Sequence, residues 1–204
     1  MNNIKIVIFD CDGVLFDTLD VNRAYYNRIL NYFGFPDIND EQFDFAQCHT
    51  ADQSLEYILG DKMPSQQDID EFKKDIDYTE FLEFMIIEPH LIDLLKYLRP
   101  KYKTAIATNR SDTMPLVMDK FELNDHFDMV VTSFDVKKPK PDPESIFKIL
   151  NTFKLSTKEA IFIGDSEVDE MTAKNSDVLF IAYNNPKLTA QYHIKSLREI
   201  KSIV

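Results

Sequence analysis

Hydrophobic positions fall into two rhythms along this chain. Ile4–Asp10 is a run of β-branched and aromatic residues broken only by Lys5 and ended by a carboxylate. A run of that kind predicts a strand buried on both faces, as in a parallel sheet. From Thr18 the period changes: Val21, Tyr25, Ile29 and Phe33 recur every four residues, and Gly34 and Pro36 stop the helix they imply. Asn39 with Gln42 and Ser65 with Asp68 read as caps of further short helices. Asp52 reads as the cap of a third, carrying Leu55, Ile58 and Leu59 to Gly60. Residues 17–88 therefore predict a block of short helices without a convincing strand.

After Pro89 strands and helices alternate. Leu91, Leu94, Leu95 and Leu98 form a helical stripe ended by Pro100. Strands are predicted at 104–108, 129–133, 160–164 and 178–182. Helices are predicted after Ser111 and after Asp142-Pro143, the second carrying Ile146, Ile149, Leu150 and Phe153. Strands alternating with helices predict an α/β fold with a doubly wound parallel sheet. The helical block then reads as an insertion after the first strand, over the carboxyl edge of the sheet. That divides the chain into a core of 1–16 and 89–204 and an insert of 17–88.

Composition narrows the function classes. The net charge of −12 argues against a nucleic-acid or anionic-membrane surface. Two cysteines, Cys11 and Cys48, are too few for a disulfide framework and suit a reducing compartment. No stretch approaches the ~18–20 apolar residues of a membrane span, and no leader pattern is seen. A cytoplasmic protein is expected. Glycine is scarce, four residues in all, yet Gly13 and Gly164 both adjoin aspartates.

Those aspartates stand where four predicted strands end. Asp10 and Asp12 follow the first, Thr108-Asn109-Arg110 the second, Lys137 to Pro143 the third, and Asp165, Glu167 and Asp169 the fourth. In a parallel sheet such ends share one edge, where ligands bind. Clustered carboxylates suit Mg²⁺, which would relieve their repulsion and neutralise an incoming phosphate. Thr108 and Lys138 could bind phosphate, one aspartate could attack phosphorus, and a second carboxylic acid could manage the proton. Cys11 reads as a small buried hydrophobe rather than a nucleophile.

Phe9-Asp10-Cys11-Asp12-Gly13-Val14-Leu15, Ala107-Thr108-Asn109, Lys138-Pro139-Lys140-Pro141-Asp142 and Ile163-Gly164-Asp165-Ser166-Glu167-Val168-Asp169 occur in this order. Together they resemble the four motifs of the haloacid dehalogenase superfamily, in its phosphatase branch with an inserted helical cap, close to the phosphoglycolate phosphatases. The resemblance implies a Rossmann-like core and a mobile cap at 17–88 that sets specificity. It implies Asp10 as nucleophile and Mg²⁺ ligand. Asp12 would be the general acid/base, with its backbone carbonyl on the metal. Thr108, Asn109 and Lys138 would bind phosphate. Asp165 would be a metal ligand, and Asp169 a ligand or a partner of metal-bound water. The expected activity is Mg²⁺-dependent hydrolysis of a small phosphorylated metabolite, phosphoglycolate-like or a sugar phosphate, through an aspartyl-phosphate. Val14, where many family phosphatases have threonine, keeps a sugar phosphomutase as an alternative. A non-catalytic phosphate-binding protein is an alternative of another class. No nucleic-acid or membrane partner is expected, and the oligomeric state is open.

Overall fold

A computed structural model describes residues 3–204. The chain forms two compact units, Thr18–Ile86 and the remainder, Met1–Asp17 with Ile87–Val204. In chain order the elements are β1 (Ile6–Phe9), β2 (Phe16–Asp17), α1 (Leu19–Tyr32), α2 (Asp40–Ala46), α3 (Ala51–Leu59), α4 (Gln66–Asp75), α5 (Thr79–Leu82) and β3 (Ile86–Ile87). They continue with α6 (Leu91–Leu98), β4 (Lys103–Ala107), α7 (Met114–Lys120), β5 (Met129–Val131) and α8 (Glu144–Phe153). The last are β6 (Ala160–Gly164), α9 (Glu167–Ser176), β7 (Leu179–Tyr183) and β8 (Tyr192–Ile194). Among the described residues no helix is long and apolar enough to cross a membrane.

The larger unit is built on a six-stranded sheet in the order β5-β4-β1-β6-β7-β8, every pair parallel. β1 lies between β4 and β6, in register Phe9↔Ile106 and Phe9↔Ile163. The chain winds outward on one side of β1, through β4 to β5, and then returns to place β6 on its other side. That reversal leaves a crevice at the carboxyl end of β1, where open α/β sheets bind ligands.

Both faces of the sheet are covered, which is why β1 is apolar at every position. Ile6 and Ile8 join a cluster with Phe162, Ile146, Ile149 and Leu150. That cluster lies under α8 and α9, which pack on β4–β5 and β6–β7. Val7 and Phe9 alternate to the opposite side and are equally buried. The α6 stripe of Leu91, Leu94, Leu95 and Leu98 is buried as its spacing predicts, and α6 packs on β4.

The Thr18–Ile86 unit has its own core, in which Tyr26, Ile29 and Leu30 of α1 meet Phe43, Leu55, Ile69 and Phe72. The apolar face of α1 is therefore Val21, Tyr26, Ile29 and Leu30, not a strict four-residue repeat. A repeat of four drifts about 40° per step on a helix of 3.6 residues per turn, so Tyr25 and Phe33 end at the edge of the face. The two-residue strands β2 and β3 pair with each other, and β3 falls where only helices are expected.

Caps differ in detail from the sequence reading. Asn39 and Ser65 cap α2 and α4 as expected. α3 is capped by Thr50, which exchanges hydrogen bonds with Gln53, while Asp52 sits in the first turn. α7 starts at Met114, later than a Ser111 cap would place it. α8 starts after Pro143, with Asp142 Oδ1 accepting the Glu144 N–H at 3.0 Å. β8 is absent from the sequence reading: Tyr192 and His193 are exposed, and only Ile194 is buried.

Two stability outcomes follow. Thr50→Ala should lower the unfolding free energy by about 1 kcal/mol in urea titration, and Thr50→Ser should restore it. Gly164 closes β6 against α9, and a Cβ there would lie 2.2 Å from the Cβ of Asp169. Gly164→Ala should therefore cost about 1–3 kcal/mol, through displacement of the first turn of α9.

Candidate active site

The carboxyl ends of β1, β4 and β6 converge as the strand order dictates. The Asp10 N–H donates to Ile163 O at 2.9 Å, so β1 stays in register with β6 through the residue that carries the carboxylate. The chain then turns tightly, with Gly13 N–H on Phe16 O at 2.8 Å and Leu15 N–H on Cys11 O at 2.9 Å. Gly13 has φ +76°, and a Cβ there would stand 2.1 Å from Asp165 Oδ2. Glycine is thus required both by the backbone and by the carboxylate packed against it. Thr108 ends β4, buried, with its N–H on Val131 O at 3.0 Å and its Oγ1 accepting the Arg110 N–H at 3.1 Å.

Asp165 comes from the turn between β6 and α9, and Asp169 from the first turn of α9. Ser166 caps α9, and Asp169 Oδ2 accepts from Ser166 Oγ at 2.6 Å, from Ser166 N–H at 3.2 Å and from Asp165 N–H at 3.3 Å. The Asn185 amide holds Asp165 O at 2.8 Å. One oxygen from each of Asp10, Asp165 and Asp169 lies within 4.8 Å of the other two.

The lysine of this cluster is Lys140. Its Nζ stands 2.8 Å from Asp10 Oδ1 and 2.6 Å from Asp169 Oδ1, and its side chain is 3 % exposed. Lys138, the lysine expected here, is 75 % exposed and reaches Asp142 at 3.9 Å. Loop anchoring decides between them. The Glu144 carboxylate accepts the N–H groups of Lys137 and Lys138 at 3.0–3.1 Å. Asn109 clamps the backbone of Lys140, its Oδ1 accepting the N–H at 2.9 Å and its Nδ2 donating to the carbonyl at 3.1 Å. Asn109, expected on phosphate, therefore spends both ends of its amide on the lysine loop.

Asp12 stands apart from the three-carboxylate cluster. Arg110 Nε and Nη2 hold its two oxygens at 3.1 and 2.5 Å, and Nη1 donates to Thr113 Oγ1 at 3.2 Å. The sequence sets Arg110 at the second strand end without a role, because its partner is 98 residues away.

The electrostatics follow from burial. Burial pushes the Asp10 carboxyl up to about 7, Asp169 adds to the rise, and Lys140 pulls against it. Asp165 is raised well above the usual carboxylate range by burial, then by Asp169 and Asp10. Lys140 is held above the ordinary lysine range despite its burial, because two carboxylates face it. Three carboxylates against one ammonium leave negative charge that a divalent cation would offset, and hard oxygen donors suit Mg²⁺. The Cys11 thiol is pushed up by burial and then by Asp12, as befits a packed side chain rather than a nucleophile.

Comparisons with known proteins agree with this architecture. A hydrolase of haloacid dehalogenase superfamily subfamily IA, variant 1, from Geobacter sulfurreducens is 35 % identical. It superposes with a TM-score of 0.84 over 98 % of this chain and 100 % of its own. A phosphoglycolate phosphatase of Pseudomonas syringae pv. tomato is 24 % identical over 92 % of this chain and 73 % of its own length. A phosphorylated carbohydrates phosphatase of Thermotoga maritima is 26 % identical over 86 % of this chain and 82 % of its own. Residues 7–183 match the haloacid dehalogenase-like hydrolase family, and with its motifs gathered on one sheet edge the chain belongs to that family.

Proposed function

We propose that the protein is a Mg²⁺-dependent phosphatase that hydrolyses a small phosphorylated metabolite, phosphoglycolate-like or a sugar phosphate, through an aspartyl-phosphate on Asp10. The observation that carries this reading is Lys140 buried between Asp10 and Asp169, with Asp165 alongside. A pure phosphate binder has no use for a carboxylate at that point, since a second negative charge weakens anion binding.

The roles follow from the contacts. Lys140 offsets charge at Asp10 and favours its ionised, nucleophilic form. The Thr108 hydroxyl would donate to a phosphate oxygen. As the Asp10 oxygen bonds to phosphorus, Asp12 gives its proton to the leaving oxygen, and in the second step it takes one from water. Mg²⁺ would be held by Asp10 and Asp165, with the Asp12 carbonyl, and would supply positive charge against the phosphate. Asp169 already accepts from Lys140, Ser166 and the Asp165 N–H, so its place is to orient that set rather than to donate directly. Asn109 acts by holding the Lys140 loop. The Thr18–Ile86 unit is the cap that selects the substrate, as such insertions exclude water and add specificity.

The test is phosphate release from a panel of phosphorylated metabolites with Mg²⁺. Asp10→Asn should remove turnover, and chelation by EDTA should do so reversibly. Lys140→Ala should lose roughly 100-fold or more, the scale of removing one charged group from a phosphoryl site, while Lys138→Ala stays within about threefold. Equal losses at the two lysines would reject the assignment of Lys140. Isomerised sugar phosphate in place of inorganic phosphate would mark a phosphomutase instead.

A further inference from the structure

The Asp12–Arg110 pair is more elaborate than a structural ion pair requires. It joins the turn after β1 to the loop after β4, with side chains 19 % and 5 % exposed. Arg110 is itself tied down: its N–H donates to Thr108 Oγ1, its carbonyl accepts the Ser133 N–H at 3.1 Å, and Nη1 reaches Thr113. Pairs this far from water add little net stability, because desolvation cancels most of the attraction. A carboxylate offers about four lone-pair positions, and a guanidinium fork takes one on each oxygen. The fork therefore fixes the plane of the carboxylate and the directions in which its two oxygens face.

A carboxylate held in one plane exchanges a proton along fixed directions. We propose that Arg110 is a positioning residue that holds Asp12 as the base for the second half of the reaction; this rests on the phosphatase reading above. In that half a water oxygen forms a bond to phosphorus, and its proton passes to Asp12. The bond from phosphorus to the Asp10 oxygen breaks, releasing inorganic phosphate and returning Asp10 as a carboxylate. Asp12 is left protonated, ready to give that proton to the leaving oxygen of the next substrate. In this step Arg110 acts through Asp12.

The probe is p-nitrophenyl phosphate with Mg²⁺, whose leaving group departs without a proton, so that Asp12 matters only in the second half. Arg110→Ala should lower kcat roughly tenfold or more and KM by a similar factor, leaving kcat/KM within about threefold. Acid-quenched protein should then carry a phosphoryl group on Asp10, and mixing should give a burst of nitrophenolate. Arg110→Lys, which keeps the charge without the fork, should show the same split in smaller measure. In an Asp12→Asn background, Arg110→Ala should change nothing further. A fall of kcat/KM in step with kcat in both variants, without phosphoenzyme, would overturn the proposal, and so would unchanged kcat. Failure of the unmodified protein to hydrolyse this or any metabolite phosphate would instead sink the phosphatase reading, and this one with it.

Discussion

The ion triplet in which Lys140 bridges Asp10 and Asp169 is the constraint on which the site depends. Without an ammonium between them, two buried carboxylates at this spacing could not both be ionised. The surroundings are spent on keeping that ammonium in place. Asn109 grips the backbone of Lys140, Glu144 turns the preceding lysines outward, and Ser166 with the first turn of α9 holds the far carboxylate. The two glycines belong to the same constraint, since Gly13 and Gly164 are where Asp165 and Asp169 press against backbone.

A division of labour follows between two sets of charges. The Asp10, Asp165 and Asp169 cluster carries excess negative charge and is balanced only in part by Lys140, which makes it a place for a cation. Asp12, two residues beyond Asp10, is instead held by the Arg110 guanidinium. Adjacent carboxylates on one strand end thus sit in different electrostatic settings, and different settings are how a fold assigns different tasks to the same side chain.

Much of this was legible in the chain, for identifiable reasons. β1, β4, β5, β6 and β7 are short apolar runs because both faces of the sheet are covered, and such runs announce themselves. Asp10, Asp12, Asp165 and Asp169 were legible because each follows such a run. Lys140 was not, because Lys138 and Lys140 both precede proline, and what separates them is an Asn109 amide 31 residues away. Arg110 stood at a strand end in the sequence, but its role was hidden for the same reason of distance. β8 escaped because it is an edge strand with one buried residue of three, and Thr50 was passed over because Asp52 is an equally good cap by type. Local chemistry reads from sequence; the choice between equivalent neighbours is made by partners that only the fold supplies.

The central position of β1 has a consequence for how the protein comes into being. Its partners are distant along the chain: Phe9 pairs with Ile106, roughly a hundred residues on, and with Ile163, roughly a hundred and fifty on. Contacts of such sequence separation form late and slowly, because the intervening chain must be closed into loops first. The acidic cluster therefore has no partial version. Until β6 docks, Asp10 lacks both Asp165 and Asp169, and the three-carboxylate cluster does not exist. Chemical competence here requires the long-range closure of β6 on β1.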